Sequence, residues 1–367
     1  MKYSIIVPVF NRPDEVRELL ESLTQQTMKD FEVIVVEDGS QTPCKDVCDE
    51  FAGILDLLYY RKENSGPGQS RNYGAERARG EWLIVLDSDV VLPEGYLAAV
   101  DEATKDGTFA AWGGPDAAHP SFTPIQKAIS YSMTSFFTTG GIRGGSSPQS
   151  GGVRVALDKF FPRSFNMGVR REVYQELGGF SKMRFGEDID FSYRIVEAGH
   201  GTRLIPSAWV WHKRRTDLRK FFRQVYNSGI ARINLTKRHP GTLKLVHMLP
   251  TVFTLGVIGC VLLFGLGVCL WCYGEWLDAY GLRPTDNMHQ GVGFVCCVVA
   301  LLPLLLYSLL IFVHSSIKNR SLWVGLLSVP AAFTQLMGYG LGFIHAWWKR
   351  CVLRQDEFTA FEKNFYK

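Results

Sequence analysis

Charge is missing from three long stretches of this 367-residue chain: Met248 to Gly274, Gly291 to Val313 and Ser321 to Trp348 hold no Asp, Glu, Lys or Arg. A helix needs about 20 apolar residues to cross a bilayer core, so each stretch is long enough. Uncharged runs this rich in Leu, Val, Phe and Gly are rarely buried in a water-soluble fold, which argues against a wholly soluble protein. Acid is scarce just before the first run, where Arg203 to Lys244 holds eleven Lys or Arg against the single acid Asp217. Base is scarce after it, since Glu275 to Gln290 holds only Arg283. The positive-inside bias then predicts an integral protein of the inner or plasma membrane with residues 1–247 in the cytoplasm. A long apolar leader is also lacking. The run Met1 to Phe10 is short and leads into Asn11-Arg12-Pro13-Asp14, so no signal peptide is expected.

The third run raises a conflict of topology. A full crossing would put the basic tail (Lys349, Arg350, Arg354, Lys363, Lys367) outside, against the bias. Pro330 and the glycines 338, 340 and 342 suggest a break, and a re-entrant hairpin that returns the tail is favoured. The eight cysteines form no disulfide framework: five lie in the apolar runs, and a reducing cytoplasm keeps Cys44 and Cys48 as thiols. The expected division is a catalytic-sized domain at 1–215, a basic amphipathic segment at 216–247, a membrane domain at 248–348 and a basic tail at 349–367.

Within the first part, Ser4 to Phe10, Phe31 to Val36 and Trp82 to Leu86 read as strands buried on both faces, with a further β-like piece at Asp56 to Arg61. Pro13, Asp14 and Glu15 suit a helix N-terminus, and Val16, Leu19, Leu20 and Leu23 give that helix its buried stripe. Gly66 to Arg79 reads as a loop opening a helix. Strands alternating with helices predict an α/β fold with a doubly wound, Rossmann-like parallel sheet. Ligands of such sheets bind at the carboxyl ends of strands, where Asn11, Asp38, Asp87 and Asp89 all fall.

Asp87 and Asp89 stand two apart after a buried strand, a spacing that lets both carboxylates meet one hard cation, Mn²⁺ or Mg²⁺. Acid pairs in exposed turns are common, so the pair is weak evidence alone. Gly186-Glu187-Asp188-Ile189-Asp190 gathers three acids at a predicted helix start, where acids are stabilising in any case and where one of them is placed to act as a base. A working base must be free of its own salt bridge. His212 follows the strand-like run Leu204 to Trp211, broken by Pro206, and can join the acids on a metal. Thr216 to Leu235 reads as a basic amphipathic helix capped by Thr216, with Arg219 and Arg223 one turn apart. Beside a span, such a helix suits anionic lipid or the phosphate of a lipid carrier better than nucleic acid. The six glycines between 138 and 154 read as either a lid or a loose connector.

Taken together, seven motifs resemble glycosyltransferase family 2: V-P-V-F-N at 7–11, E-D-G-S at 37–40, N-S-G-P-G-Q-S-R-N-Y-G at 64–74, D-S-D at 87–89, F-N-M-G at 165–168, G-G-F at 178–180 and G-E-D-I-D at 186–190. The resemblance implies a nucleotide-diphospho-sugar transferase fold and inversion at the anomeric carbon. It implies that Pro8, Phe10, Asn11, Asp38, Gly66, Arg71, Asp87 and Ser88 line a nucleotide site, and that Asp87, Asp89 and His212 hold the metal. It places Asn166 and Gly168 against donor or acceptor sugar and makes Asp188 the base, with Glu187 beside it. The Q-x-x-R-W of processive synthases is replaced by Arg219-Lys220-Phe221-Phe222-Arg223-Gln224, and few spans remain for a channel, so single additions are expected. The expected reaction moves one sugar from a nucleotide-diphosphate donor to a lipid-linked saccharide. Its rivals are transfer to a polyprenyl phosphate and a non-catalytic scaffold that binds nucleotide sugars.

Overall fold

The computed structural model describes residues 1–119, 121–139, 160–183, 185–280 and 288–357; most of the glycine-rich stretch, Lys363 and Lys367 lie outside the described residues. The chain begins β1 (Tyr3–Val9), α1 (Pro13–Thr24), β2 (Phe31–Asp38), α2 (Lys45–Phe51), β3 (Leu57–Lys62), α3 (Pro67–Ala75), β4 (Trp82–Leu86) and β5 (Val90–Val91). It continues through α4 (Tyr96–Thr104), β6 (Ala111–Gly113), β7 (Asp116–Ala117), α5 (Pro124–Thr134) and α6 (Phe136–Thr139). Then come β8 (Asn166–Arg170), α7 (Arg171–Glu176), α8 (Glu187–Glu197), β9 (Thr202–Leu204), β10 (Val210–His212) and α9 (Leu218–Arg238). Three long apolar helices follow: α10 (Leu249–Ala279), α11 (Met288–Asn319) and α12 (Leu322–Trp347).

Apolar, β-branched runs make the central strands, and β2 and β4 are buried along their whole length. One sheet takes the order β3-β2-β1-β4-β8-β6-β9, and a small second sheet takes β5-β10-β7. β1 runs parallel to β2 and β4, and β2 to β3, so their carboxyl ends line one edge. The expected doubly wound sheet also takes in one strand of opposite direction, β8, which runs antiparallel to both β4 and β6. Asn166 enters the sheet opposite Leu86, at the carboxyl end of β4, and from there the strand can only run back. Apolar side chains fill both faces, with Ile5, Val7, Leu19 and Trp112 on one and Ile6, Ile34, Val85 and Phe191 on the other.

The run Leu204 to Trp211 is broken around Pro206, as expected, into strands of two sheets, since proline has no amide hydrogen to donate to a ladder. One further expectation changes. α9 is capped by Asp217 rather than Thr216, its carboxylate accepting from Lys220 N at 2.7 Å. The membrane part departs more. α12 is one continuous helix with Pro330 inside it, so the re-entrant break is absent. Its glycines are close-packing points: Gly338 and Gly342 face α9, while Gly340 faces Thr254 and Pro250 of α10. α9 accordingly does not lie bare against lipid; Phe221, Val225 and Ile233 pack on α12 and α5.

Candidate active site

β4 delivers Asp87-Ser88-Asp89 to the carboxyl edge, and the antiparallel pairing of β10 with β5 sets His212 opposite Val90, beside them. One ligand atom from each of Asp87, Asp89 and His212 lies within 4.8 Å of the others. His212 Nε2 is 3.3 Å from Asp89 Oδ1, and the ring stacks on Phe165 at 5.0 Å between centroids. Its Nδ1 is buried without a hydrogen-bond partner, 3.8 Å from Asp116. Two carboxylates and an imidazole form a donor set that suits Mn²⁺ or Mg²⁺ completed by substrate oxygens. The Asp87 side chain keeps 33% exposure, so a diphosphate can reach the cluster from solvent.

Cations already balance these acids. Arg12 pairs with Asp89 Oδ2, and Arg71 NH2 donates to Asp87 Oδ1 at 2.9 Å. Burial opposes ionisation of Asp89, but His212 and Arg12 outweigh it and hold the carboxyl well below its usual range. Burial likewise disfavours a charged His212, yet Asp89 and Asp116 raise the imidazole to about 9. Asp116 is in turn held far below the usual range against burial by Arg214 and His212. A buried charge needs partners, and here each one has them.

α8 supplies the second cluster. Gly186 stands at its N-cap with φ +86°, a left-handed conformation that a side chain would strain, and it packs on Ala231 and Leu235 of α9. The three acids behind it meet three fates. Asp190 is buried: it accepts from Ser181 Oγ at 2.7 Å and Arg194 Nε at 3.1 Å, and is hydrogen-bonded to His239 Nε2 at 3.0 Å. Glu187 accepts from Arg71 NH1 at 3.0 Å, the same guanidinium that holds Asp87. Burial lifts Glu187 to about 7, with Arg71 pulling down and Asp188 pushing up. Asp188 is only half-buried, accepts from Ile189 N at 2.9 Å and makes no ion pair among the described residues. It meets the requirement for a free base. Arg71, stacked over Phe180, is therefore the buried bridge between the two clusters.

The remaining expected site residues divide. Pro8 and Phe10 lie at the end of β1, and Ser88 is buried between the two acids of the β4 turn. Asn11, at φ 53°, accepts from Gln41 N at 2.7 Å and Thr42 N at 3.0 Å. Asp38 is buried, pairs with Lys62 and accepts from Ser65 N and Gly66 N, both at 2.9 Å. These two side chains tie neighbouring strand-end loops together. Asn166 and Gly168, expected against donor or acceptor sugar, sit within the sheet. Asn166 is fully buried, its Oδ1 accepting from Tyr96 OH at 2.7 Å and its Nδ2 donating to Ala208 O at 2.8 Å. Gly168 is packed so closely on the Trp112 indole that a methyl group would overlap it. Both shape the sheet and neither has a polar side-chain group free for sugar. Arg219 and Arg223 are exposed on α9 and make no ion pair among the described residues.

Sequence reasoning missed Arg12, Asp116, Arg214 and Phe165. Asp116 follows the strand end Gly113, so the rule that found Asp87 could have found it; the short β6 gave too weak a signal. Arg12 has no signal beyond its place after Asn11.

The family described as Glycosyl transferase family 2 matches residues 4–178. Those residues are a family 2 glycosyltransferase domain. The match takes in the β4 acids but stops before α8 and β10, and so does not extend to Asp188 and His212. The chain is 45% identical over 200 residues to an uncharacterised glycosyltransferase of Haemophilus influenzae, covering 53% of this chain and 62% of that protein. The pre-mycofactocin glycosyltransferase of Mycobacterium tuberculosis is 27% identical over 276 residues, covering 73% of this chain and 53% of that one. The chain thus spans under two thirds of either relative. Among solved structures, the Pyrobaculum calidifontis mannosyltransferase PcManGT, in complex with GDP-Man and Mn²⁺, superposes with a TM-score of 0.55 at 15% identity. That alignment covers 95% of this chain and 88% of PcManGT, and places the glycosyltransferase domain in the same fold.

Proposed function

We propose that the chain is an inverting, metal-dependent glycosyltransferase that adds one sugar from a nucleotide-diphosphate donor to a lipid-linked saccharide at the cytoplasmic membrane face. The observation that carries this reading is the single buried Arg71, which holds Asp87 of the β4 cluster and Glu187 of α8 at once. Donor and base sites are thereby kept in one fixed relation. Asp87, Asp89 and His212 would hold a divalent cation, which when bound neutralises the charge that grows on a departing diphosphate. Asp188 takes the proton from an acceptor hydroxyl as its oxygen attacks the anomeric carbon, and the bond from that carbon to the diphosphate breaks on the opposite side. Arg71 and Arg12 provide fixed positive charge beside the leaving group. The exposed pair Arg219 and Arg223, on a helix leading to the apolar segments, supports a phosphate-bearing lipid acceptor.

The test is a panel of radiolabelled UDP-, GDP- and dTDP-sugars given to membranes carrying the chain, with Mn²⁺ or Mg²⁺ and a lipid extract. Label should enter the lipid fraction from one donor, with inverted linkage, and chelation should stop it. Donor binding without any transfer or hydrolysis would instead establish the scaffold reading. Transfer that survives Asp188→Asn would point to a phosphate acceptor, already an anion and in little need of a base.

A further inference from the structure

Among the described residues, three helices are long and apolar enough to cross a membrane, but they do not share one environment. Only 11% of the apolar window of α10 and of α11 is buried against protein, whereas half of the α12 window is. α10 and α11 form a hairpin whose far half is held by Gly267 against Gly293 and by Trp271 against Phe294. α12 meets that hairpin at its other end. It touches Pro250, Phe253 and Thr254 at the start of α10, and Ile311, Ser315 and Ser316 near the close of α11. At 31 and 32 residues, the hairpin helices are roughly 47 Å long, well beyond a bilayer core of about 30 Å. Their near ends therefore have length to spare outside the hydrocarbon, and that is the level of α12.

The other flank of α12 is α9, which runs alongside it in the same direction. Phe221 and Val225 pack near Val324 and Ala331, Gly229 lies on Tyr339 and Phe343, and Lys237 Nζ donates to Arg350 O at the far end. α9 carries six basic residues and no acid. Were α12 to span the bilayer, α9 would be drawn through the hydrocarbon with its charges, together with the sheet domain joined to it. We infer that α12 is not a third span: it lies in the plane of the membrane interface as a platform between α9 and the hairpin. The chain crosses twice, and its C-terminal region returns to the side of the glycosyltransferase domain. The lipid interface is the partner of its uncovered residues. Trp323, Trp347 and Trp348 are about half exposed at its two ends, next to Arg320, Lys349 and Arg350, as aromatic and basic side chains are at headgroup level. This also resolves the basic tail, which needs neither a hairpin break nor a passage outside.

Cys351, exposed just past α12, is a reporter already in place. In full-length chains whose other cysteines are replaced, a membrane-impermeant maleimide is applied to sealed vesicles of known orientation. Ile54→Cys, in the sheet domain, and Tyr280→Cys, at the far end of α10, mark the two sides; both positions are exposed. Cys351 should react from the same side as Ile54→Cys. Reaction together with Tyr280→Cys would overturn the assignment. Should cysteine replacement impair folding, C-terminal fusions to alkaline phosphatase and to green fluorescent protein in the otherwise native chain report the side directly. Spin labels at Trp323→Cys and Trp347→Cys then test orientation: equal, shallow depths are expected, and a steady change in depth from one to the other would mean a crossing.

Discussion

The tip of β4 and the first turn of α8 both gather carboxylates, and they use them in opposite ways. At β4 the acids converge, with Asp87 and Asp89 sharing one space with His212. At α8 they diverge: Asp190 turns into a buried network, Glu187 turns to Arg71, and Asp188 is left unpaired among the described residues. A cluster of acids therefore does not declare its role by number. What distinguishes them is where each carboxylate points: Asp87 and Asp89 towards one shared space with His212, Asp190 into the protein, and Asp188 to no charged partner among the described residues.

The sharpest way to break that comparison is to neutralise Asp188. Asp188→Asn should lower turnover by about 10³-fold, within the range for loss of a general base, with donor affinity unchanged. Initial rates of sugar transfer and calorimetric titration of donor check this; an equal loss of donor binding would make the two clusters one. Asp89→Asn should act on the other side, weakening Mn²⁺ binding by at least about 100-fold, as read by paramagnetic resonance titration. Asn166→Ala tests the boundary of the site. It strands the Tyr96 hydroxyl and the Ala208 carbonyl, so thermal unfolding should show a loss of about 2–4 kcal/mol with donor affinity retained. The smallest effect is on pH dependence. Glu187 has its folded pKa raised to about 7 from 4.5, so its contribution to stability is full below 4.5 and is lost as pH rises through about 7. In chelator, Glu187→Gln should flatten the stability profile across that window, which melting temperatures at successive pH values would show.

Much of this was legible in the residues. β1, β2 and β4 stand out because strands buried on both faces are continuous apolar runs, and the acids after them follow from the sheet rule. The helix start at Glu187 was legible from its acids, and His212 from its place at a strand end. Local pattern could not reveal what depends on distant pairing. The direction of β8 is set by where the chain re-enters the sheet, and Asn166, read as a sugar contact, is used up by Tyr96 and Ala208, which lie far away in sequence. α12 was misread because glycine is ambiguous: the residue that permits a break also permits two helix backbones to touch.

His239 ties α9, the helix that leads to the apolar segments, to α8. It closes α9 immediately before Pro240, and its ring joins Asp190 and Glu197, one residue near each end of α8. The helix that bears Asp188 is thus clasped from the lipid side as well as seated on the sheet. If Asp188 acts as proposed, a displacement of α9 would be felt at α8 through His239 before it reached the β4 cluster.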